Sequence, residues 1–394
     1  MSYLQKIPAI LVLLLLLLSR PLFAQEVEAE TDVTYTFGQV MRFSLEAEGD
    51  RPIEAAFLLF NTPELANTYV VEVDVKPSRT ISLTHELSLL QVQLAPFTTV
   101  TYWWELTTAG RRERVTGGSF TYADDRFQWQ TLTSGDVTVH WADGDLSLGQ
   151  TALDIVAEAR PRLQTMIPAG NQVPLKIYIY PSTGDLRSAL RLTGRDWLGA
   201  NAHPQLGVLL VTAVNPRTAT FDLGQSIPHE LAHLLLYEAT RPAYEQVPRW
   251  FEEGIATLAE TASNPDYDLV LEQAVLAQDT IPFAALCETF PADETSARLA
   301  YAQSVSFIRF LQDRYGNETL SHLVRAFGDG AGCETAAHRV LDTSLDRLNA
   351  RWLESVQPLS PLARFWQASG LWLLLLGGGF GLMLLLLLPI RRNQ

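Results

Sequence analysis

The chain has 394 residues, of which 47% are hydrophobic and 19% charged, and its net charge is −15. That balance excludes a disordered chain. An acidic protein with no basic run is also a poor binder of nucleic acid. Ile7 to Leu18 is an apolar run behind Lys6, and Ala24 stands at a small-residue cleavage position. This is the layout of a secretory signal peptide over 1–24, too short to cross a bilayer. From about 30 to 122 the chain reads as strands. Val33 to Phe37 and Val70 to Val75 alternate, Thr99 to Leu106 is rich in β-branched and aromatic residues, and Ala109-Gly110 turns the chain before Arg112 to Val115. These runs predict an antiparallel β-sandwich of immunoglobulin or fibronectin III type over 25–124. His85-Glu86 within it opens like a metal motif, but Leu89 stands where a second histidine is needed.

Ala123 to Thr131 reads as a boundary, after which the pattern changes. The spacing predicts a helix over 151–166, an alternating strand over 175–180 and an apolar strand over 207–211. Helices follow at about 223–240, 249–262, 299–315 and 335–356. The second domain, 125–356, is therefore expected to be α+β, with a short sheet first and helices after it. Cys287 and Cys333 are the only cysteines, and in an exported chain they are expected to form one disulfide.

Chemistry concentrates in Ser226 to Leu234, which contains His229-Glu230-Leu231-Ala232-His233. On a helix, positions i and i+4 share a face, so both imidazoles can reach one ion. Glu230 then stands beside the ion, where it can take a proton from water. Pro228 is expected in the first turn, behind Ser226 as N-cap. Catalytic zinc wants three protein ligands and one open position. A carboxylate on a second, antiparallel helix would supply the third, and Val247 to Ala256 offers Glu252 and Glu253, with Gly254 allowing close helix approach.

The pair His-Glu-x-x-His and Pro-x-Trp-Phe-x-Glu-Gly-x-Ala resembles the gluzincin zinc metallopeptidases, and specifically the bacterial, membrane-anchored peptidase MA-like proteins. Segments at Thr101–Glu105, Phe127–Trp129, Val137–Trp141, Ile177–Ser182 and Tyr301–Gly316 are similar to that family as well. The resemblance implies a gluzincin-like (thermolysin-like) α+β peptidase domain. It implies one zinc held by His229, His233 and Glu253, and Glu230 as general base. The family's Glu-Gly pairing favours Glu253 over Glu252. The best-known gluzincins carry an acidic residue after the ligand glutamate that orients one histidine; here Thr257 lies four positions on and Glu260 seven. Tyr301 and His203 are the candidates for donating to the transition-state oxyanion, whereas His140, His322 and His338 read as structural or solvated. Either 207–211 or 199–203 is expected to be an edge strand able to pair with a substrate backbone. The implied activity is hydrolysis of peptide bonds in a peptide or protein substrate. The competing class, a non-catalytic surface protein, has no need of an intact Glu230.

Phe365 to Ile390 carries no charge and is followed by Arg391-Arg392. A stalk over 357–367, one membrane span over 368–390 and a cytoplasmic tail over 391–394 are expected, with the catalytic domain outside the cell. Protease added to intact cells should then remove the ectodomain while a reporter fused after Gln394 stays protected; a cleaved reporter with a protected ectodomain would invert this topology.

Overall fold

The computed structural model describes residues 27–169, 174–190, 200–215, 217–262 and 264–357, with a few positions between 369 and 375. The leader expected at 1–24 lies outside them, as do the stalk and membrane span apart from Gln357 and those few positions. Among the described residues no helix is long and apolar enough to cross a membrane. The chain divides into two units, Met1–Gln130 with Ser182–Gly199, and Thr131–Pro181 with Ala200–Gln394.

In the first unit β1 (Val27–Thr36), β2 (Val40–Asn61), β3 (Tyr69–Val73), β4 (Ser78–Ser88), β5 (Thr99–Thr108) and β6 (Arg111–Thr121) form one six-stranded sheet with antiparallel pairing. The long β2 changes partners along its length. Val40 to Glu48 pairs with β1 and β4, and Ala56 to Phe60 with β3 and β5, with a register shift between Glu48 and Ile53. Phe43 and Phe60 lie on this same strand, yet their rings stack with centroids 5.9 Å apart. A straight strand would hold them roughly 56 Å apart at about 3.3 Å per residue. β2 therefore folds back at the shift and serves both layers, so the expected sandwich is one sheet doubled over. Tyr122 closes one corner, its phenol oxygen accepting the Gly38 N–H at 2.8 Å.

The second unit begins with β7 (Gln130–Ser134), β8 (Val137–Trp141), α1 (Leu146–Gln164) and β9 (Leu175–Tyr180). The helix α2 (Thr183–Leu190) follows and groups with the first unit. Then come β10 (Asn201–His203), β11 (Val208–Thr212), α3 (Ala219–Thr240), α4 (Arg249–Ala259), α5 (Pro265–Ala277), α6 (Glu294–Gly328), α7 (Cys333–Leu341) and α8 (Leu345–Val356). The sheet order is β10-β11-β9-β8-β7; β9 runs parallel to β8 and β11, and β10 is an antiparallel edge strand. Of the two edge candidates, 201–203 is the edge and 208–212 lies inside. Strand alternation sends Val139, Trp141, Ile177, Ile179, Leu209 and Val211 into the core that α1 and α3 cover.

Several boundaries differ from the sequence reading. α3 begins at Ala219, so Pro228 lies in mid-helix rather than in the first turn. Ser226 does not cap it; its hydroxyl donates to the Asp222 carbonyl one turn back at 2.9 Å. α4 stops at Ala259 because Glu260 takes an extended backbone (φ −53°, ψ 144°). No apolar stripe marks α5 in the sequence, because Ala274 alone of its residues is buried. Its signal was Asn264-Pro265: Asn264 accepts the Asp266 N–H, and proline occupies the first turn. The third expected helix is part of α6, which runs from 294 to 328 and breaks at Gly316 (φ 81°). The fourth divides at Asp342 (φ 50°), beyond which Ser344 caps α8. Cys287 and Cys333 form the expected disulfide.

The helix that carries Glu253 packs tightly on α6 through Gly254. A Cβ at Gly254 would lie 2.7 Å from the Ser304 carbonyl oxygen and 2.6 Å from Ile308 Cγ1. Gly254→Ala should lower stability by about 1–3 kcal/mol, read as a lower denaturation midpoint with an unchanged slope. An unchanged midpoint would show that the two helices part at little cost.

Candidate metal centre

α3 and α4 bring His229, His233 and Glu253 together: one donor atom from each lies within 4.8 Å of the others. Glu253 Oε2 is 3.5 Å from His229 Nε2 and 3.8 Å from His233 Nε2. It is buried and has no hydrogen-bond partner. Burying a carboxylate oxygen without a partner is costly, so its placement calls for a cation. Ligands about 2.0–2.1 Å from a tetrahedral zinc stand roughly 3.4 Å apart. The spacing here is close to that, and two nitrogens plus one carboxylate are a catalytic zinc donor set. The residues fit the ion.

Both imidazoles are turned for the task. His229 Nδ1–H donates to Glu260 Oε1 at 3.0 Å, and His233 Nδ1–H donates to Glu252 Oε1 at 2.9 Å. A carboxylate only accepts, so each bond fixes the tautomer and leaves Nε2 with its lone pair toward the cluster. Glu252 thus meets the Nδ1 side of His233, away from the cluster of Nε2 atoms and Glu253 Oε2. It also accepts from the Tyr244 hydroxyl, and its Oε2 meets Arg249 at 2.7 Å. The second nitrogen of the Arg249 fork is 2.7 Å from Glu253 Oε1, which aims the other carboxylate oxygen at the histidines.

Glu260 reaches His229 because of Pro228. Proline has no N–H, so the carbonyl four residues back, that of Gly224, loses its helical partner. That carbonyl accepts from the Thr261 N–H at 3.0 Å and from the Thr261 hydroxyl at 2.7 Å. The Gln225 side chain adds a bond in each direction to the Ala262 backbone, both at 2.9 Å, and donates to Glu260 Oε2 at 3.3 Å. Gly224 leaves room, since a Cβ there would stand 3.0 Å from Thr261 Oγ1. The segment after α4 thus docks onto a gap in the ladder of α3 one turn before His229. Glu260, seven positions after Glu253, is the acidic residue that holds His229, while the hydroxyl of Thr257, four positions on, is buried without a partner.

Electrostatics bind the cluster together. Burial disfavours charge on both imidazoles. For His229, the Glu253 and Glu260 carboxylates outweigh it and push the imidazole up to about 10; for His233, Glu253 and Glu252 act the same way. Burial would also raise Glu252 and Glu253, but His233 and then the remaining partners, Arg249 among them, hold both carboxyls below their usual range. Without metal, protons supply the positive charge that a cation would bring, so cation binding competes with protons. Glu230 behaves differently: burial raises it more than the two histidines lower it, and it accepts the Ala202 N–H from β10.

Tyr301 on α6 lies within electrostatic reach of Glu253, Arg249 and Glu230, and burial raises its phenol. Tyr267, at the start of α5, is a neighbour that the sequence reading did not contain; burial and then Glu260 push it up to about 12. Its helix carried no periodicity that would have drawn attention to it. His203 is buried on β10, with Nε2 3.2 Å from Asn201 Nδ2. Ala202 packs into the core shared with α3, so alternation sends His203 to the opposite face. His140 stacks on Tyr178 with centroids 4.4 Å apart, and His322 and His338 are exposed beside Glu318 and Glu334.

Comparison with known proteins follows the same line. The Peptidase MA superfamily profile matches residues 156–358. The chain belongs to the Peptidase MA superfamily, and it is a zinc metallopeptidase-type hydrolase. No curated protein matches the sequence. Among solved structures it is similar to a variant of a two-domain M1 zinc metallopeptidase bound to L-arginine, at 11% identity and TM-score 0.41 over 86% of this chain and 96% of that one. It is also similar to the M1 zinc metallopeptidase of Deinococcus radiodurans, at 12% identity and TM-score 0.38 over 86% and 96%. A third is an aminopeptidase N family protein of Idiomarina loihiensis, at 9% identity and TM-score 0.44 over 84% and 77%.

If Glu260 holds His229 in its ligand orientation, Glu260→Ala should lower zinc affinity by roughly 10–100-fold, whereas Thr257→Ala should leave it unchanged. Competition against a chelator of known affinity measures both. Equal affinity for Glu260→Ala and wild type would remove Glu260 from the site.

Proposed function

We propose that the chain is a membrane-anchored, extracytoplasmic zinc peptidase, with one zinc held by His229, His233 and Glu253 and with Glu230 as general base. The observation that carries the metal assignment is the buried Glu253 Oε2, with no hydrogen bond of ordinary length, between two imidazole nitrogens. The anchor rests on the uncharged 365–390 run and the arginines after it. The partner is a peptide or protein chain.

Zinc bound there supplies Lewis acidity to a water and to the scissile carbonyl. The protein's own part is proton transfer and orientation. Glu230 sits next to His229 on the same helix and is lifted by burial. It takes the proton of the attacking water and returns it to the leaving amine. Tyr301, kept protonated by its raised pKa, donates a hydrogen bond to the carbonyl oxygen as charge develops there. Its facing groups support Tyr301 over His203 for this role. Among the described residues β10 is the edge strand of its sheet, beside Glu230, and an extended substrate would add along that edge. Arg249 and the Glu252–His233 and Glu260–His229 pairs hold the donors in place throughout.

Glu230→Gln keeps the side chain's shape and its reach but cannot accept the proton. Zinc content and folding should stay near normal, while peptide hydrolysis falls by at least about 10²–10⁴-fold. Glu253→Gln should lower metal content as well as rate. A Glu230→Gln protein that cleaves as fast as wild type would overturn the mechanism, and a folded, zinc-loaded wild type that cleaves nothing in a broad peptide library would favour a binding scaffold.

A further inference from the structure

The Cys287–Cys333 disulfide lies against the first turn of α4. Its Cα atoms are 6.1 Å apart and its cysteines are 46 positions apart in sequence. The first N–H groups of a helix have no partner within it, and the cap residue here, Pro248, offers no side-chain bond. The Cys287 carbonyl supplies one, accepting the Arg249 N–H at 2.9 Å. The other half of the disulfide is engaged by the next residue: the Trp250 indole N–H donates to Cys333 Sγ at 3.2 Å. Arg249 in turn grips Glu252 and Glu253, each at 2.7 Å. A covalent link between two distant parts of the helical region is thus joined, through two consecutive residues, to the carboxylate between the histidines.

We propose that this disulfide is a positioning element for the metal centre, fixing the first turn of α4 and through Arg249 the Glu253 carboxylate, so that opening it loosens the cation. The inference rests on the reading of His229, His233 and Glu253 as ligands. Both cysteines are half-buried rather than enclosed, so a reductant can reach them. In exchange with a dithiol, its thiolate attacks Cys287 Sγ, the S–S bond breaks, and Cys333 leaves as a thiolate and takes a proton. The second thiol of the reagent then closes its own disulfide and releases Cys287 as a thiol. Two electrons and two protons pass from the dithiol to the cysteines. Cys333 is the better leaving group, because it opens α7 and its sulfur accepts the indole N–H.

The test uses the full, zinc-loaded chain before and after reduction by tris(2-carboxyethyl)phosphine, which with one water yields two thiols and the phosphine oxide. Zinc affinity is read by chelator competition, and the geometry of the site by the visible spectrum of the cobalt-substituted chain. Reduction should weaken zinc binding by roughly 10–100-fold and shift the cobalt bands, and reoxidation should restore both. Trp250→Phe keeps the disulfide and most of the ring packing but removes the indole N–H; it should weaken binding several-fold without any reductant. Equal affinity and an identical cobalt spectrum in oxidised and reduced chains would overturn the proposal. If reduction unfolds the chain, wild-type affinity in Trp250→Phe would overturn it instead. An oxidised wild-type chain that binds no zinc would be a failure of the ligand assignment itself, distinct from either result.

Discussion

The Glu253 carboxylate is enclosed by protein, one oxygen tied to Arg249 and the other left without a hydrogen bond beside two imidazole nitrogens. Removing an ionised carboxylate from water costs several kcal/mol unless positive charge replaces the solvent. A cation held where the two Nε2 atoms and Oε2 converge would supply it. Much of the helical region serves this arrangement. α3 presents the two histidines on one face, α4 returns with the carboxylate, and Gly254 lets α4 lie close enough to α6 to bring Tyr301 near.

Four glutamates crowd this centre, and their partners give each a different part. Glu253 faces the imidazole nitrogens, Glu252 and Glu260 each hold a histidine Nδ1–H, and Glu230 meets only a backbone N–H. Their protonation follows from those partners. Glu252 and Glu253, beside His233 and Arg249, are held below the usual carboxylate range, while burial raises Glu230. A group that is to accept and return a proton gains from a raised pKa, and a group that is to hold a cation or orient an imidazole gains from a lowered one. In the proposed reaction the division of roles comes from environment rather than residue type.

The gap that Pro228 leaves in α3 shows how a local irregularity can be used. A mid-helix proline ordinarily costs about 3 kcal/mol through its lost hydrogen bond and its clash with the preceding turn. Here the freed Gly224 carbonyl takes two bonds from Thr261, and the docking brings Glu260 onto His229. Read from sequence, a proline next to the histidine motif suggested a helix start, because that is where its missing N–H leaves no bond unmade. The folded chain instead supplies a partner from the segment following another helix, and local reasoning has no means of seeing that.

The sequence by itself marked the candidate cluster that the fold brings together, His229, His233 and Glu253. His229 and His233 must share a helical face through their spacing, and an acidic residue before Gly254 on a second helix is the natural third donor; strand alternation likewise marked the N-terminal sheet and β9. These features follow from the period of a single element, which side-chain order records directly. Other features were decided only by tertiary structure. Among them are the use of Glu252 and Glu260 to accept the two histidine Nδ1–H groups, the fold-back of β2, and the placement of Tyr267 near the centre. Each depends on where a second element lies, and neighbouring glutamates on a helix point about 100° apart, so one faces the histidines and the other their flank only once α3 is in place. A helix packed on few neighbours writes no stripe into its sequence, and a strand that bends between layers looks like any other run of alternating residues. Contacts between elements are set by packing across the chain, and that information is absent from any local window of residues.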